Sequence, residues 1–372
     1  MKIGCVKEIK PQEFRVGLTP HAVQEAVAHG HSVLVETGAG LGAGFTDADY
    51  TAAGGVIAAD AASVWGAAEM VVKVKEPLAE ERARLSPGQV LFTYLHLAPD
   101  PAQTADLVTS GATCIAYETV TDAAGGLPLL APMSEVAGKL APQVGAWALQ
   151  KANGGRGVLM GGVPGVLPAQ VLVIGGGVVG TQAARVAAGM GAAVTVLDRS
   201  LPRLRHLDEV FGRDFRTGYA SAALTAELVA KADLVIGAVL VPGAAAPKLV
   251  TRAMLATMQP GAVLVDVAID QGGCFETSHP TTHQDPIFEV EGIVHYCVAN
   301  MPGAVARTAT QALGHATLPF VLALADKGWR QACREDVHLL AGLNVHAGQV
   351  TCAPVAAAQG LPYLAAAEAL TL

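Results

Sequence analysis

The sequence predicts an α/β protein built from two doubly wound domains. Short apolar runs alternate with helix-like segments along most of the chain, a pattern typical of parallel sheets covered by helices. A glycine-rich turn joins two such runs at residues 175–180, which indicates a βαβ unit in mid-chain. The length of 372 residues is too great for one ordinary core and suits two domains.

Composition excludes several classes of protein. The chain is 52% hydrophobic with only 5% aromatic residues, as expected of helices packed closely on parallel sheets. A net charge of −8 argues against binding to nucleic acid. The six cysteines form no C-x-x-C pair, which indicates buried thiols in a reducing compartment. With no signal peptide and no unbroken membrane span, we expect a cytoplasmic protein that does not enter a membrane.

Strand and helix patterns alternate through the first 130 residues. Thr19 and Pro20 begin a helix that ends before Gly30, and a second helix covers residues 101–109 before Gly111. Strands are predicted at residues 2–6, 32–36, 70–74, 90–94 and 112–116.

The glycine-rich turn follows a predicted strand at residues 169–174 and opens a helix at residues 178–190. Gly175 allows the tight turn, Gly177 lets the backbone approach a pyrophosphate, and Gly180 lets the helix lie close to the strand. The first N–H groups of the helix then point at the phosphates. The spacing therefore predicts a dinucleotide site.

Asp198 ends the second strand of this unit, after apolar residues 193–197. A carboxylate there accepts hydrogen bonds from the adenosine ribose and repels a 2′-phosphate, which favours NAD over NADP. Arg199 weakens the argument because arginine can pair with a 2′-phosphate, and a solvated strand-end acid is the alternative.

Further strands are predicted at residues 214–217, 233–238, 262–267 and 293–298, which with the two of the βαβ unit make six. A helix follows over residues 305–327, with Gly328 as its stop. The remaining residues are too few for a third core. We therefore expect an NAD-binding Rossmann domain of residues 131–305, inserted into a discontinuous substrate domain of residues 1–130 plus 306–372, with a cleft between the two domains.

Four polar residues follow predicted strands, where ligands bind in sheets of this kind. Arg15 suits a carboxylate, Lys75 a carbonyl and His96 proton transfer as a general base, and Asp270 comes from the second domain to line the same cleft. Together with a hydride acceptor they predict a dehydrogenase for a 2-hydroxy or 2-amino acid, and the residues do not choose between these.

Each of the four has a structural alternative. Arg15 could pair with Glu13, Lys75 with Glu76, and His96 could be a satisfied core histidine. Asp270 could cap a turn with the Gln-Gly-Gly that follows it. Asp266, inside a strand, is expected to be structural.

Several segments closely resemble the family of bacterial L-alanine dehydrogenases, and the match runs nearly end to end. These segments are residues 7–10 with 13–20, 74–77, 91–98, 132–138, 238–243, 265–273 and 298–302. The resemblance implies reversible oxidative deamination of L-alanine to pyruvate and ammonium with NAD, in a homohexamer. It also implies that Arg15 binds the substrate carboxylate, Lys75 hydrogen-bonds the carbonyl or imine, His96 is the acid/base, and Asp270 is the second catalytic group.

The resemblance further implies a set of cofactor contacts beside Gly175, Gly177 and Gly180. They are Ser134, Val178, Val179, Asp198, Arg203, Ala220, Val239, Leu240, Val267, Ala268, Ile269, Asp270, Val298, Ala299, Asn300 and Met301.

The sequence departs from the family pattern in three respects. Ala220, with Ser221 beside it, stands where the family often has serine, and His279 stands where arginine is expected. Ala323 and Lys327 stand where some members carry a metal pair, so no metal is expected.

Other functions remain open at this stage. The NAD-binding subunit of proton-translocating transhydrogenase resembles the same family, although an amide tends to replace the acid at the place of Asp270 there. There are two further alternatives. One is a relative that acts on another small 2-amino acid, and the other is a redox sensor that binds NAD without turnover.

Overall fold

The computed structural model describes residues 1–239 and 246–371. The chain forms two compact units: the first unit is Met1–Met133 with Val305–Leu372, and the second unit is Ser134–Ala304. Each unit has one mainly parallel sheet with helices between its strands.

The strands of the described residues are, in chain order, β1 (Lys2–Cys5), β2 (Ser32–Glu36), β3 (Val56–Ala58), β4 (Met70–Val72), β5 (Val90–Thr93), β6 (Thr113–Ala116), β7 (Gln170–Ile174), β8 (Ala193–Asp198), β9 (Arg216–Tyr219), β10 (Leu234–Gly237), β11 (Val263–Asp266), β12 (Ile287–Val290), β13 (Ile293–Tyr296), β14 (Leu343–His346) and β15 (Gln349–Val350).

The helices of the same residues are α1 (Pro20–Ala28), α2 (Asp47–Ala52), α3 (Ala61–Ala67), α4 (Ala79–Arg82), α5 (Pro101–Ser110), α6 (Ala131–Ala148), α7 (Val178–Gly189), α8 (Leu201–Phe211), α9 (Ala222–Lys231), α10 (Arg252–Leu255), α11 (Ala306–Lys327), α12 (Trp329–Glu335), α13 (Val337–Leu340), α14 (Ala353–Gln359) and α15 (Ala366–Ala369). Thr19 caps α1 through its side chain, as its position before Pro20 predicts.

The sheet of the first unit has the order β15-β14-β6-β5-β4-β1-β2-β3. The six strands β1–β6 all run parallel. β14 pairs antiparallel with β6, and β15 pairs antiparallel with β14. Strands β3, β14 and β15 were not predicted from the sequence. The polar Asn344 and His346 hide the strand pattern of β14, yet both are buried and hydrogen-bonded.

The sheet of the second unit has the order β12-β13-β11-β10-β7-β8-β9. The prediction of six strands is wrong, because β12 adds an antiparallel edge strand to β13. Glu291 and Gly292 form the tight turn between them, with φ of 54° and 80°. The strand predicted at residues 214–217 begins at Arg216, since α8 and the turn after it occupy the chain up to that point.

Each unit has its own apolar core between sheet and helices. Val64 of α3, Leu91 of β5 and Leu107 of α5 pack in the first unit, and Val229 of α9 and Leu264 of β11 pack in the second. All six cysteines lie in the described residues, where they are buried and form no disulfide. Their prediction as buried thiols is confirmed.

Candidate functional site

The glycine-rich turn joins β7 to α7 in the second unit, as predicted. Gly175 has a φ of 106°, and a Cβ there would lie 2.7 Å from the carbonyl oxygen of Ala238. A Cβ at Gly180 would overlap the carbonyl oxygen of Gly175. A Cβ at Gly177 would meet no atom within 4 Å. Two glycines are thus required by packing, and the third leaves backbone open to a ligand.

The N-terminus of α7 has the character of an anion site. Its N-cap is Gly177, and no side chain in the described residues caps it. Val178 is exposed and Val179 half-buried. The first N–H groups of a helix have no partner within the helix and carry the positive end of its dipole, so they suit a pyrophosphate.

Asp198 and Arg203 fix the shape of the glycine-rich turn. Asp198 Oδ2 accepts from the Gly176 amide at 2.7 Å, and its Oδ1 accepts from the Ser200 amide at 2.7 Å. Arg203 Nη2 donates to the Thr181 hydroxyl at 2.7 Å, and its Nε donates to the Gly176 carbonyl. Both residues therefore connect the turn to β8 and α8, the neighbourhood expected of groups that meet the adenosine ribose.

Two of the departures from the family pattern have structural partners. The Ala220 amide donates to the carbonyl of Asp198 at 2.9 Å, and the Ser221 hydroxyl beside it accepts from the Leu224 amide and caps α9. The His279 ring packs against Phe288 of β12, with centroids 3.7 Å apart and the ring planes tilted by 32°. The serine next to Ala220 thus has a helix-capping role, and the imidazole packs on the edge hairpin.

Asp266 and Asp270 differ sharply in environment. Asp266 is fully buried at the end of β11, where it accepts from the Cys274 amide at 2.9 Å and the Ser278 hydroxyl at 2.6 Å. Burial raises the pKa of its carboxyl despite these hydrogen bonds. Asp270 is exposed in the 3-10 turn Ile269–Gln271 and has no hydrogen bond or ion pair within the described residues. Asp266 is therefore structural, as predicted, and it shapes the turn that presents Asp270.

The other predicted cofactor positions differ in exposure. Leu240 lies outside the described residues. Three of them are buried: Ile269, Val298 and Met301. Six of them are half-buried: Ser134, Val239, Val267, Ala268, Ala299 and Asn300.

In the first unit, Arg15, Lys75 and His96 follow β1, β4 and β5. These three strands are parallel neighbours, with β4 between β1 and β5. All three segments therefore leave the same carboxyl edge of the sheet, as the strand-end argument requires.

Arg15 is buried and held by Glu13. Its Nε and Nη2 donate to the two carboxylate oxygens of Glu13, each at 2.7 Å, and its Nη1 lies 3.1 Å from the sulfur of Met133. Burial alone would lower the pKa of Arg15, but the hydrogen bonds and charge of Glu13 raise it. The pairing anticipated as an alternative is therefore present, and it keeps a planar cation fixed at the sheet edge.

Lys75 is half-buried, and its backbone is fixed on both sides. Its amide donates to Glu8 at 3.2 Å, and its carbonyl accepts from the Thr93 hydroxyl at 3.0 Å. Its ammonium lies 3.8 Å from Glu76, which also pairs with Lys10. Although burial alone would raise the pKa of Glu76, the two lysines lower it.

Lys73, two residues before Lys75, forms a buried ion triad with Glu8 and Glu81. This triad was not predicted from the sequence. Lys73 is fully buried, with its ammonium 2.6 Å from Glu81 and 3.1 Å from Glu8. Glu8 also accepts from the Val74 amide at 2.7 Å. Burial alone would lower the pKa of Lys73, but the two carboxylates raise it. A lysine inside the apolar run of residues 70–74 was the available signal.

His96 is the exposed member of the set, with 46% of its side chain exposed, so the alternative of a core histidine is wrong. Its ring lies parallel to that of Tyr94, with centroids 5.7 Å apart. Its φ is 50°, a left-handed conformation that costs a non-glycine residue on the order of 1–3 kcal/mol. The His96 amide donates to Glu118 at 2.6 Å.

Glu118 was also missed, although it lies two positions after the strand predicted at residues 112–116. The strand-end argument that selected Arg15, Lys75 and His96 would have selected it too. Its side chain is 14% exposed.

Within residues 1–239 and 246–371, no group of three or more His, Cys, Asp or Glu residues could hold a metal ion. Lys327, at one of the family's metal positions, pairs with Glu335 at 2.6 Å. Helices in the same ranges lack the combined length and apolar character needed to cross a bilayer.

Two family models match the chain over most of its length. The model described as "Alanine dehydrogenase/PNT, N-terminal domain" matches residues 4–137, and "Alanine dehydrogenase/PNT, C-terminal domain" matches residues 141–353.

Individual relatives give the same result. The alanine dehydrogenase of Halomonas elongata is 63% identical over 368 residues, which is 99% of each chain. A solved structure of L-alanine dehydrogenase is 52% identical, with a TM-score of 0.94 over 97% of this chain and 99% of that one. A solved transhydrogenase from Sinorhizobium meliloti is 28% identical, with a TM-score of 0.82 over 95% of this chain and 99% of that one.

These likenesses extend over both units and confirm the α/β fold class and the resemblance drawn from sequence motifs. The chain therefore belongs to the alanine dehydrogenase/PNT family.

Proposed function

We propose that the chain catalyses the NAD-dependent reversible oxidative deamination of L-alanine. L-Alanine, NAD⁺ and water give pyruvate, ammonium, NADH and a proton. The observation that carries the proposal is the near-full-length identity of 63% to an alanine dehydrogenase. The chain also has Arg15, Lys75, His96 and Asp270 at the positions that the motif resemblance assigns to substrate binding and catalysis. The likeness to the transhydrogenase is much weaker, at 28% identity, so the dehydrogenase function is favoured.

The first unit is proposed to bind the substrate. Arg15, kept charged by Glu13, pairs with the substrate carboxylate. Lys75 donates to the carbonyl oxygen of pyruvate or to the corresponding imine nitrogen. His96 takes a proton from the amine or from the attacking water and returns it in the reverse direction, a role that suits an exposed imidazole.

The second unit is proposed to bind NAD. The open backbone at Gly177 and the uncapped start of α7 fit a pyrophosphate, and Asp198 fits the adenosine ribose. NAD, when bound, accepts the hydride that leaves the substrate Cα. Asp270, an exposed carboxylate without a partner in the described residues, orients the amine and stabilises positive charge on its nitrogen.

A direct assay tests this function. Purified protein mixed with L-alanine and NAD should generate NADH absorbance, and pyruvate with ammonium should consume it. L-Serine and L-2-aminobutyrate serve as comparison substrates for the alternative of another small amino acid. A flat trace with every substrate, from protein shown to bind NAD, would contradict the enzyme function and favour a sensor or a binding subunit.

Replacing Asp198 by alanine should narrow the preference for NAD over NADP. The carboxylate repels a 2′-phosphate, so its loss should lower the ratio of kcat/KM values for the two cofactors by about tenfold or more, or about 1.4 kcal/mol. Arg199→Ala is the matched control, because Arg199 is exposed and adjacent. If Asp198→Ala leaves the ratio unchanged and Arg199→Ala shifts it, discrimination belongs to the arginine.

The same family likeness supports a homohexamer in the cytoplasm. Mass measurement of the purified protein in solution tests the assembly.

A further inference from the structure

Glu118 lies in the 3-10 turn Tyr117–Thr119, which follows β6 directly. β6 is the parallel neighbour of β5, so Glu118 and His96 leave the same edge of the sheet from adjacent strands. The turn is anchored on both sides of Glu118. The Tyr117 hydroxyl donates to the carbonyl of Lys73, just after β4, at 2.9 Å. The Thr119 hydroxyl accepts from the side-chain amide of Asn344 in β14 at 2.8 Å. Glu118 is therefore held on a fixed support.

The Glu118 carboxylate is committed to the backbone that carries His96. Its Oε1 accepts from the His96 amide at 2.6 Å, and each of its oxygens lies 3.2 Å from the Leu95 amide. Its Oε1 lies 3.9 Å from Nδ1 of the imidazole, which is too long for a hydrogen bond. Glu118 thus acts on the main chain of His96 rather than on its ring.

This contact coincides with a strained backbone. The φ of 50° at His96 lies in the left-handed region that non-glycine residues avoid. A strained residue keeps its conformation where the surrounding structure holds it there. The Glu118 carboxylate accepts from the His96 amide, and the Tyr94 ring lies parallel to the imidazole. These two contacts hold His96 in the left-handed conformation.

We propose that Glu118 is a positioning residue for the dehydrogenase reaction, holding the His96 backbone left-handed and thereby fixing where the imidazole lies. The proposal rests on the proposed function, in which His96 moves the proton. Proton transfer requires heavy atoms within about 2.6–3.2 Å of each other. A relaxed segment around His96 would move the imidazole out of that range.

Two substitutions separate positioning from charge. Glu118→Ala removes the acceptor, so kcat for L-alanine should fall by about 10- to 100-fold, part of the usual effect of a general base, while the Kd for NADH stays unchanged. Glu118→Gln keeps an oxygen acceptor for the His96 amide and should lose less than about fivefold in kcat. Glu80→Ala, an exposed glutamate of α4, is the matched control. Thermal unfolding of each variant reports whether it is folded.

A double-mutant cycle tests whether Glu118 acts through His96. In the His96→Ala background the loop holds no imidazole, so adding Glu118→Ala should change kcat by less than about twofold. If Glu118→Ala does not fold, Glu118→Asp, whose shorter side chain withdraws the carboxylate from the His96 amide, takes its place in the cycle.

Three outcomes would overturn the proposal. The first is a normal kcat in Glu118→Ala. The second is an equal loss of kcat in Glu118→Gln and Glu118→Ala. The third is that Glu118→Ala lowers kcat as much in the His96→Ala background as in the wild-type protein. Each leaves the proposed function standing as long as the wild-type protein oxidises L-alanine. Failure of the wild-type protein to turn over would instead count against the proposed function.

Discussion

Replacing His96 by alanine should lower kcat for L-alanine oxidation by at least about 100-fold, the usual scale of general acid/base catalysis. His96 is the exposed imidazole at the carboxyl edge of the first unit's sheet, fixed by Glu118 on its amide and by Tyr94 beside its ring. The residues proposed to bind NAD belong to the second unit. Binding of NADH, followed by its fluorescence, should therefore persist in the variant.

His21→Ala is the matched control for this experiment. His21 is another exposed histidine of the first unit, on α1, and its ring lies edge-on to that of His315 with centroids 6.5 Å apart. The control should keep kcat within about twofold, since His21 is not among the residues proposed to bind the substrate or NAD. A near-normal kcat in His96→Ala would remove His96 from the proton-transfer step.

Replacing Lys73 by methionine should lower the free energy of unfolding by about 3–5 kcal/mol, the range found when one partner of a buried ion pair is removed. Lys73 is fully buried between Glu8 and Glu81. Without its ammonium, two buried carboxylates face each other with no cation between them. Chemical denaturation with urea measures the loss. Lys231→Met, which breaks an exposed pair with Glu227, is the control and should leave the unfolding midpoint unchanged.

The loss caused by Lys73→Met should also depend on pH. Burial already raises the pKa of Glu8, and removal of the neighbouring cation raises it further. A carboxyl whose pKa is higher in the folded state binds more protons when folded, so its contribution to stability falls as the pH rises. The deficit should be smaller at pH 5 than at pH 8. An equal deficit at both values would show that the cost comes from packing rather than from charge.

Local patterns in the sequence were sufficient for most of the fold. The βαβ unit around Gly175, the helix begun by Thr19 and the strands that precede Lys75 and His96 each depend on residues close together in the chain. The same patterns located Arg15, Lys75 and His96, because strand ends can be recognised without knowing which strands are neighbours. The strands β12, β14 and β15 were not predicted, because they are short and contain polar residues.

The supporting carboxylates could not be predicted in this way. Glu8 meets Lys73 across 65 positions of the chain, and Glu118 meets His96 across 22. The role of each is defined by a partner that only the strand order brings near. A charged residue within or directly after an apolar strand shows that a partner is needed, but not which residue provides it.

The antiparallel pairing of β14 with β6 has a consequence for how the chain folds. Ile115 of β6 pairs with Leu343 of β14, and the whole second unit lies between them in the sequence. During synthesis from the N-terminus, β6 emerges long before its partner. Its unpaired N–H and C=O groups form an exposed edge during that interval, open to pairing with another nascent chain. Closing this edge pairs strands that the whole second unit separates in the sequence, so we expect this pairing to form slowly.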